Sequence, residues 1–211
     1  MLASVIVNAC RVTLIDAAAA TWADAELLGY LNEAERAVVF LKPDAYTIRN
    51  YIPMVAGTNQ AIPAGGVAVL DLSQNETSKR RVTLVDKELL DEANRFWQAA
   101  TEETDVQHWC ADPRDPTRFD ITPPNDGTGS VLCLYGAVPT AIAATSNAIN
   151  LNDSYQYALE CFTLSRAYAK NSRKQDLAKS ASYMNEFRQS LGIKATAQIA
   201  VAPKVSSNVG D

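Results

Sequence analysis

His108 and Cys110, two residues apart, bring an imidazole beside a thiol, the pairing that can generate a thiolate nucleophile and its general base. His108 is the chain's single histidine, and nothing around it reads as an oxyanion loop or as a third residue that would orient the ring. The plain reading, two side chains with no catalytic task, is preferred. Asp105, Asp112, Asp115 and Asp120 supply oxygens of the kind a hard cation requires. Their spacing matches no calcium loop, and Pro113 and Pro116 place them in turns, so solvated loop carboxylates are expected. Glu102 and Asp105 are the nearest thing to the carboxylate pair of a cell-wall hydrolase, but they stand in no recognisable catalytic setting. Gly57, Gly65 and Gly66 are too dispersed, and too close to Pro63, to cradle a phosphate at a helix start; they suit tight turns.

Lys79-Arg80-Arg81 is the densest basic run. It could touch DNA or an acidic partner, although three cations at a strand entry commonly guard a sheet edge. A net charge of −5 argues against a protein that grips nucleic acid, because phosphate neutralisation needs clustered cations. Arg166 and Lys170, four residues apart, share a helix face and could reach acidic residues of a neighbouring subunit or of the same chain. Trp22, Trp97 and Trp109 are spaced as core anchors of separate elements, without the interleaved basic residues of a base-stacking platform. Cys10, Cys110, Cys133 and Cys161 show no CxxC spacing and read as buried free thiols of a reducing cytoplasm. No apolar run approaches the ~20 residues of a membrane span, and the N-terminus is unlike a signal peptide. The expectation is therefore a soluble protein with no catalytic residue, no metal ligand and no cofactor.

The elements that position these residues follow from periodicity. Leu2, Val5, Ile6, Ala9 and Val12 recur every three to four residues, predicting a short amphipathic helix. Thr21 is the expected N-cap of a second helix whose inner face carries Leu27, Leu28, Leu31, Ala34, Val38 and Leu41, closed by Pro43. Extended runs are expected at 47–52, 67–72 and 81–85, with turn chemistry at 56–66. A helix capped by Asp86 should bury Leu89, Leu90, Ala93 and Trp97. Strands at 118–122 and 131–135 should pair as a hairpin about the Asp126–Gly129 turn. Two further helices are expected, one burying Tyr155, Ala158, Phe162, Ser165 and Ala169, the other Leu177, Ala181, Met184, Phe187 and Leu191, with Gly192 at the C-terminal cap. Beyond it, Ile193, Ala195, Ala197, Ile199 and Val201 alternate with Lys194, Thr196, Gln198 and Ala200 in the two-residue period of a strand.

The expected fold class is thus α+β, a helical bundle from N- and C-terminal helices with an inserted small antiparallel β domain. Residues 1–45 supply the first bundle helices, 46–150 a β-rich insertion with one short helix, 151–192 a helical hairpin completing the bundle, and 193–211 an extended arm.

The segment Trp22-Ala23-Asp24-Ala25-Glu26-Leu27-Leu28-Gly29-Tyr30-Leu31-Asn32-Glu33-Ala34-Glu35-Arg36, followed by Lys42-Pro43-Asp44-Ala45, resembles the opening of head-to-tail adaptor proteins of tailed bacteriophages. The resemblance continues through 56–63, Arg118-Phe119 with Pro123-Pro124, Tyr135-Gly136-Ala137-Val138-Pro139, 166–170, 183–187 and Leu191-Gly192. It thus covers most of residues 22–192 in the expected order, and its weight lies in that order, since each motif is a packing or turn pattern. It implies a virion protein of the neck, made in the host bacterial cytoplasm, that forms a homo-oligomeric ring, twelvefold, under the portal protein. Such a ring receives the tail tube or nozzle protein and lets duplex DNA pass without specific binding; no membrane is involved. Ile193, Ala195, Ala197, Ile199 and Val201 of the arm, with Arg166 and Lys170, are the expected portal or subunit contacts. A tail terminator, a head-completion protein or, less fittingly, a tail-associated cell-wall hydrolase would be the alternatives.

Overall fold

The structure, a computed structural model, describes the backbone of residues 1–201 and the side chains of residues 1–192. The fold is α+β, with five α-helices and two small sheets among the described residues. The chain divides into two compact units, one made of 1–38 and the residues from Ala141 onward, the other of Val39–Thr140.

In the first unit, α1 (Ala3–Leu14) buries Ala3, Ile6, Val7, Cys10 and Leu14, a 3-4 stripe that fixes its inner face. The expected face was partly the wrong one: Ile6 is buried, but Leu2, Val5 and Val12 are exposed, because α1 carries two apolar stripes and the core takes the other. The second helix, α2 (Asp24–Leu41), starts at Asp24 rather than after a Thr21 cap; the Ala23 carbonyl accepts from the N–H groups of Glu26 and Leu27. Its inner positions Leu27, Leu28, Leu31, Ala34 and Val38 are buried as the period predicts, whereas Leu41, in its last turn, is 55% exposed. Asn32 and Glu35 tie α2 to the return segment. Asn32 exchanges two hydrogen bonds with the Ile142 backbone, at 3.1 and 2.7 Å, and the buried Glu35 carboxylate accepts from the Asn150 backbone and side chain, each at 2.7 Å.

Two helices complete this unit, α4 (Gln156–Ala169) and α5 (Leu177–Val201). They are antiparallel: Asp176 N donates to the Tyr168 carbonyl, the Ser165 hydroxyl to the Ser180 carbonyl at 2.9 Å, and Phe162 meets Phe187 edge-on at 5.2 Å. Phe187 and Leu191 are buried, but Leu177 is 65% exposed and Ala181 is exposed, contrary to the expected inner face. Gly192 does not stop α5, and 193–201 is helical rather than extended. Ala195, Ala197 and Ala200, with Lys194 and Gln198, are strong helix formers, and their propensity wins over the alternation. Residues 202–211, the rest of the expected arm, lie outside the described residues.

The second unit is built on β1 (Thr47–Pro53), β2 (Gly57–Ala61), β3 (Gly66–Asn75), β4 (Thr83–Leu84), β5 (His108–Ala111), β6 (Arg118–Asn125) and β7 (Ser130–Ala137), with α3 (Lys87–Ala93) after β4. One sheet has the order β1-β7-β3, the other β2-β6-β5-β4; all pairs are antiparallel except β4 with β5. Their shared core holds Ile52, Leu72, Trp109, Phe119, Ile121 and Val131.

The expected hairpin of 118–122 with 131–135 does not form, since β6 and β7 belong to different sheets. Buried Asn125 donates to the carbonyls of Glu103 and Thr104 at 3.2 and 2.9 Å, and accepts from Gly127 N at 2.8 Å. The turn is thereby fastened to the 103–104 segment and redirects the chain from one sheet to the other. At Gly129 an added Cβ would lie 2.5 Å from the Thr104 carbonyl oxygen, so glycine alone lets the turn sit this close. The stretch read as turn chemistry contains β2, which packs Gln60 inward to hold the Val55 backbone at 2.8 and 2.7 Å. Asp86 does cap α3, accepting from Glu88 N at 2.9 Å, but α3 buries none of its own residues; of its expected inner face only Trp97, in the following 3-10 turn, is in the core.

Candidate assembly surface

The residues singled out for chemistry are dispersed by the fold into structural tasks. His108 and Cys110 share a face of β5, yet the His108 ring meets the Thr83 hydroxyl at 2.5 Å while Cys110 is buried opposite Asp120. Burial, then the Asp120 carboxylate, raise the Cys110 thiol above its ordinary value, which keeps it protonated and weakly nucleophilic at neutral pH. Cys10 and Cys133 are pushed up to about 12, again chiefly by burial.

Each of the four aspartates answers to a different local donor. Asp112 accepts from Arg114 N at 2.8 Å, and Asp115 from the Thr117 hydroxyl and N–H at 2.6 and 2.9 Å. Asp105 accepts from the Ser78 hydroxyl at 2.9 Å, and Asp120 pairs with Lys87 at 2.7 Å. Among the described residues no three His, Cys, Asp or Glu side chains converge as a metal site would. Glu102 is exposed, and Gly57 and Gly65 hold turns at φ 97° and 86°. Trp22, Trp97 and Trp109 are all buried, as core anchors should be.

Lys79-Arg80-Arg81 lies exposed between β3 and β4. Lys79 sits over the Tyr51 ring at 5.2 Å and Arg80 reaches Asp105 at 3.8 Å. A groove of about 680 Å³ runs beside α3, lined by Leu84, Asp86, Lys87, Glu88, Asp91 and Cys110 among others.

Arg166 and Lys170 are partnered within the chain. Arg166 Nε lies 2.9 Å from Glu33, and Lys170 Nζ 2.6 Å from Glu26 and 2.9 Å from the Thr21 carbonyl. Both thus fasten α4 to α2, where Trp22 Nε1 also donates to the Ala167 carbonyl at 3.2 Å. Sequence reading missed the neighbouring node that holds the α1–α2 loop. Buried Arg11 donates to the carbonyls of Asp16 and Trp22 at 3.1 and 3.0 Å and pairs with Asp24 at 2.5 Å. Buried Asp16 accepts from the N–H groups of Ala20, Thr21 and Trp22 at 3.0–3.2 Å, and those bonds, Trp22's foremost, lower its carboxyl below the ordinary value. A lone Arg among apolar helix residues, with Asp16 five positions on, was the available signal.

Among the apolar side chains that the first unit leaves to solvent are those on the outer side of α1. Leu2, Val5, Val12 and, just past the helix, Ile15 are 48%, 44%, 79% and 87% exposed. Arg11 is the sole charged residue among the first fifteen, and it is turned inward. An apolar face of this kind, edged at Ile15 by Lys174, whose ammonium donates to the Ile15 carbonyl at 3.0 Å, fits burial against another protein surface better than water. No helix among the described residues is long and apolar enough to cross a membrane.

The family model described as SU10 adaptor protein matches residues 1–207, and the chain belongs to that family, a family of phage head-to-tail adaptors. The match extends past both ends of the stretch over which the sequence motifs carry the resemblance. No curated protein matches the chain.

Proposed function

We propose that the chain is the neck subunit that joins capsid to tail: a homo-oligomeric ring, twelvefold, docked under the portal protein and receiving the tail tube or nozzle protein. The observation that carries this reading is the family match over 1–207. The two-unit division supports the bundle-with-insertion arrangement expected of such adaptors, because the helices of both chain ends fall in one unit and 39–140 in the other. In this reading the neck of the virion is its location and the DNA passes through the ring without specific contacts. All of the net negative charge resides in the second unit, where 39–140 hold nine Lys and Arg against fourteen Asp and Glu. That balance favours free sliding, since phosphate contacts would brake the duplex.

The contacts assigned to Ile193, Ala195, Ala197, Ile199 and Val201 belong to this proposal. Arg166 and Lys170 could join them only by exchanging Glu33 and Glu26 for a neighbour's carboxylates. Cryo-electron microscopy of intact particles tests the reading: density for this chain as a closed ring between portal and tail is the expected result. Its absence from the neck, or its presence as single copies on the tail, would overturn it.

A further inference from the structure

We propose that α3 of one copy docks on the outer face of the β1-β7-β3 sheet of the neighbouring copy, with Glu88 and Glu92 against Arg49, Lys79 and Arg81. The inference rests on the ring reading and names the two surfaces that close the ring.

The sheet face gathers hydrogen-bond donors. Ile52, Val131 and Cys133 point into the core, so Tyr51, Leu132 and Leu134, which alternate with them, point out of the sandwich. Arg49, two residues before Tyr51, shares its side of β1. The Tyr51 hydroxyl accepts from Gln74 Nε2 at 2.8 Å and from Lys79 Nζ at 3.4 Å, which leaves its own proton for a partner. Arg81 stands opposite Gln74 across an antiparallel bridge and therefore on the same side. Among the described residues Arg49, Lys79 and Arg81 make no ion pair, whereas Arg80 is taken by Asp105. The carboxylates nearby are Asp71, which accepts from the Ser73 hydroxyl at 2.9 Å, and Glu76 in the following turn.

α3 presents the counterpart from the opposite side of the sandwich. It lies over the outer face of the other sheet, where Lys87 pairs with Asp120 and Asp91 accepts from Trp97 Nε1, both at 2.7 Å. Lys87 and Asp91 thus mark its inner side, and Glu88, Leu89 and Glu92 fall away from it, exposed. The Glu88 and Glu92 side chains, one turn apart, have no partner among the described residues, and Leu89 between them is 65% exposed. Asp86 is spent on the helix cap, and Arg95 is the segment's one other cation.

Charge selects the pairing. An apolar contact alone would suit the exposed side chains of α1, Phe40, Leu41, Val55, Val138, Tyr157 or Leu177 equally well. Two carboxylates that lose hydration on docking need cations in return. The other concentration of cations, at the α4–α5 turn, is largely taken: Lys174 donates to the carbonyls of Leu14 and Ile15 and Lys179 pairs with Asp176, which leaves Arg173. DNA phosphate would also answer Arg49, Lys79 and Arg81, but it meets Asp71 on the same face and gives Leu132 and Leu134 no apolar cover. A contact between two different patches of one subunit is moreover the kind that closes a ring rather than a two-fold dimer.

The test reverses the charges in the full-length protein and measures ring occupancy of the portal protein. Arg49→Glu with Arg81→Glu, and separately Glu88→Lys with Glu92→Lys, should each lower occupancy at least tenfold. The fourfold variant, with both faces reversed, should regain it, a recovery that damage to folding cannot produce. A photo-reactive p-benzoylphenylalanine at Leu89, in an isotopically mixed ring, should join to a segment holding Tyr51 or Leu132 of the other isotope. Unchanged occupancy in either double variant, no recovery in the fourfold one, or Leu89 joined elsewhere refutes the packing and leaves the ring standing. Duplex DNA binding by the wild type that Arg49→Glu with Arg81→Glu abolishes, at undiminished ring occupancy, would assign the sheet face to phosphate instead. If the wild-type chain binds the portal only as isolated copies, the ring reading falls and takes this inference with it.

Discussion

At the scale of single residues, the α1–α2 loop shows how a buried charge can be local scaffolding. The Asp16 carboxylate accepts from three successive backbone N–H groups, which hold its pKa below the ordinary 3.8. Folded Asp16 thus binds its proton less readily than the unfolded chain does. Its contribution is complete above 3.8 and is lost as the pH falls through that value and below. Asp16→Asn is expected to lower the urea midpoint at pH 7, and the gap to wild type should close as the pH is taken below 3.8; a gap that is constant with pH would assign the loss to packing instead. One residue earlier, Ile15 adopts φ 51° although it is β-branched and 87% exposed. The left-handed region costs an L-residue roughly 1–2 kcal/mol, and glycine or asparagine would serve the helix end better. Ile15→Gly should therefore raise unfolding stability by about 1 kcal/mol, measured by equilibrium denaturation. A drop would mean that the isoleucine side chain contributes packing that outweighs the strain.

At the scale of elements, close approach rather than propensity decides the details. At Gly136 on β7 an added Cβ would stand 2.5 Å from the Pro43 carbonyl oxygen, a backbone atom that cannot swing aside. Gly29 in α2 has open space at the same position. Gly136→Ala should destabilise by about 1–3 kcal/mol, and Gly29→Ala should stabilise by about 0.5–1 kcal/mol. Equal effects in urea titrations of the two variants would contradict this account. The same contrast explains what could be read from sequence. α2 was legible because Leu27, Leu31, Ala34 and Val38 give one apolar stripe with one possible inside. α1 was legible as a helix but not in its orientation, because two stripes compete and only the tertiary partner chooses. Strands β2 and β5 lacked the run of β-branched residues that marks a strand, and the pairing of β6 depends on Asn125 reaching a segment some twenty residues earlier. Of the candidate site, the role of Trp22, Trp97 and Trp109 as core anchors of separate elements was readable from their spacing. Arg166 lies in the last turn of α4, whereas Lys170, expected on the same helix face, is the non-helical residue that caps it, and their acidic partners lie more than a hundred residues away and could not be assigned.

At the scale of the whole molecule, the charge distribution and the exposed faces bear on the proposed passage of DNA and on the proposed ring. With a net charge of −5, all of it carried by residues 39–140, the purified protein is expected to show no duplex DNA binding tighter than micromolar at physiological salt. Filter binding or fluorescence anisotropy checks this, and a submicromolar, salt-sensitive isotherm would remove the basis for unbraked passage. The state of the free protein follows from the size of its exposed apolar face on α1. The exposed apolar side chains of α1 are four, Leu2, Val5, Val12 and Ile15, far fewer than the roughly 20–30 residues a side of a stable pairwise interface. Such a contact is weak between free subunits. In the proposed ring, docking on the portal would hold neighbouring copies at an effective concentration on the order of millimolar, at which a weak contact suffices for closure. Sedimentation of the isolated chain at micromolar concentration should therefore give a species near 22.9 kDa, with ring-sized material appearing only when portal protein is added. A stable ring sedimenting without portal would show that the subunit contacts are far larger than these faces provide, and that closure needs no template.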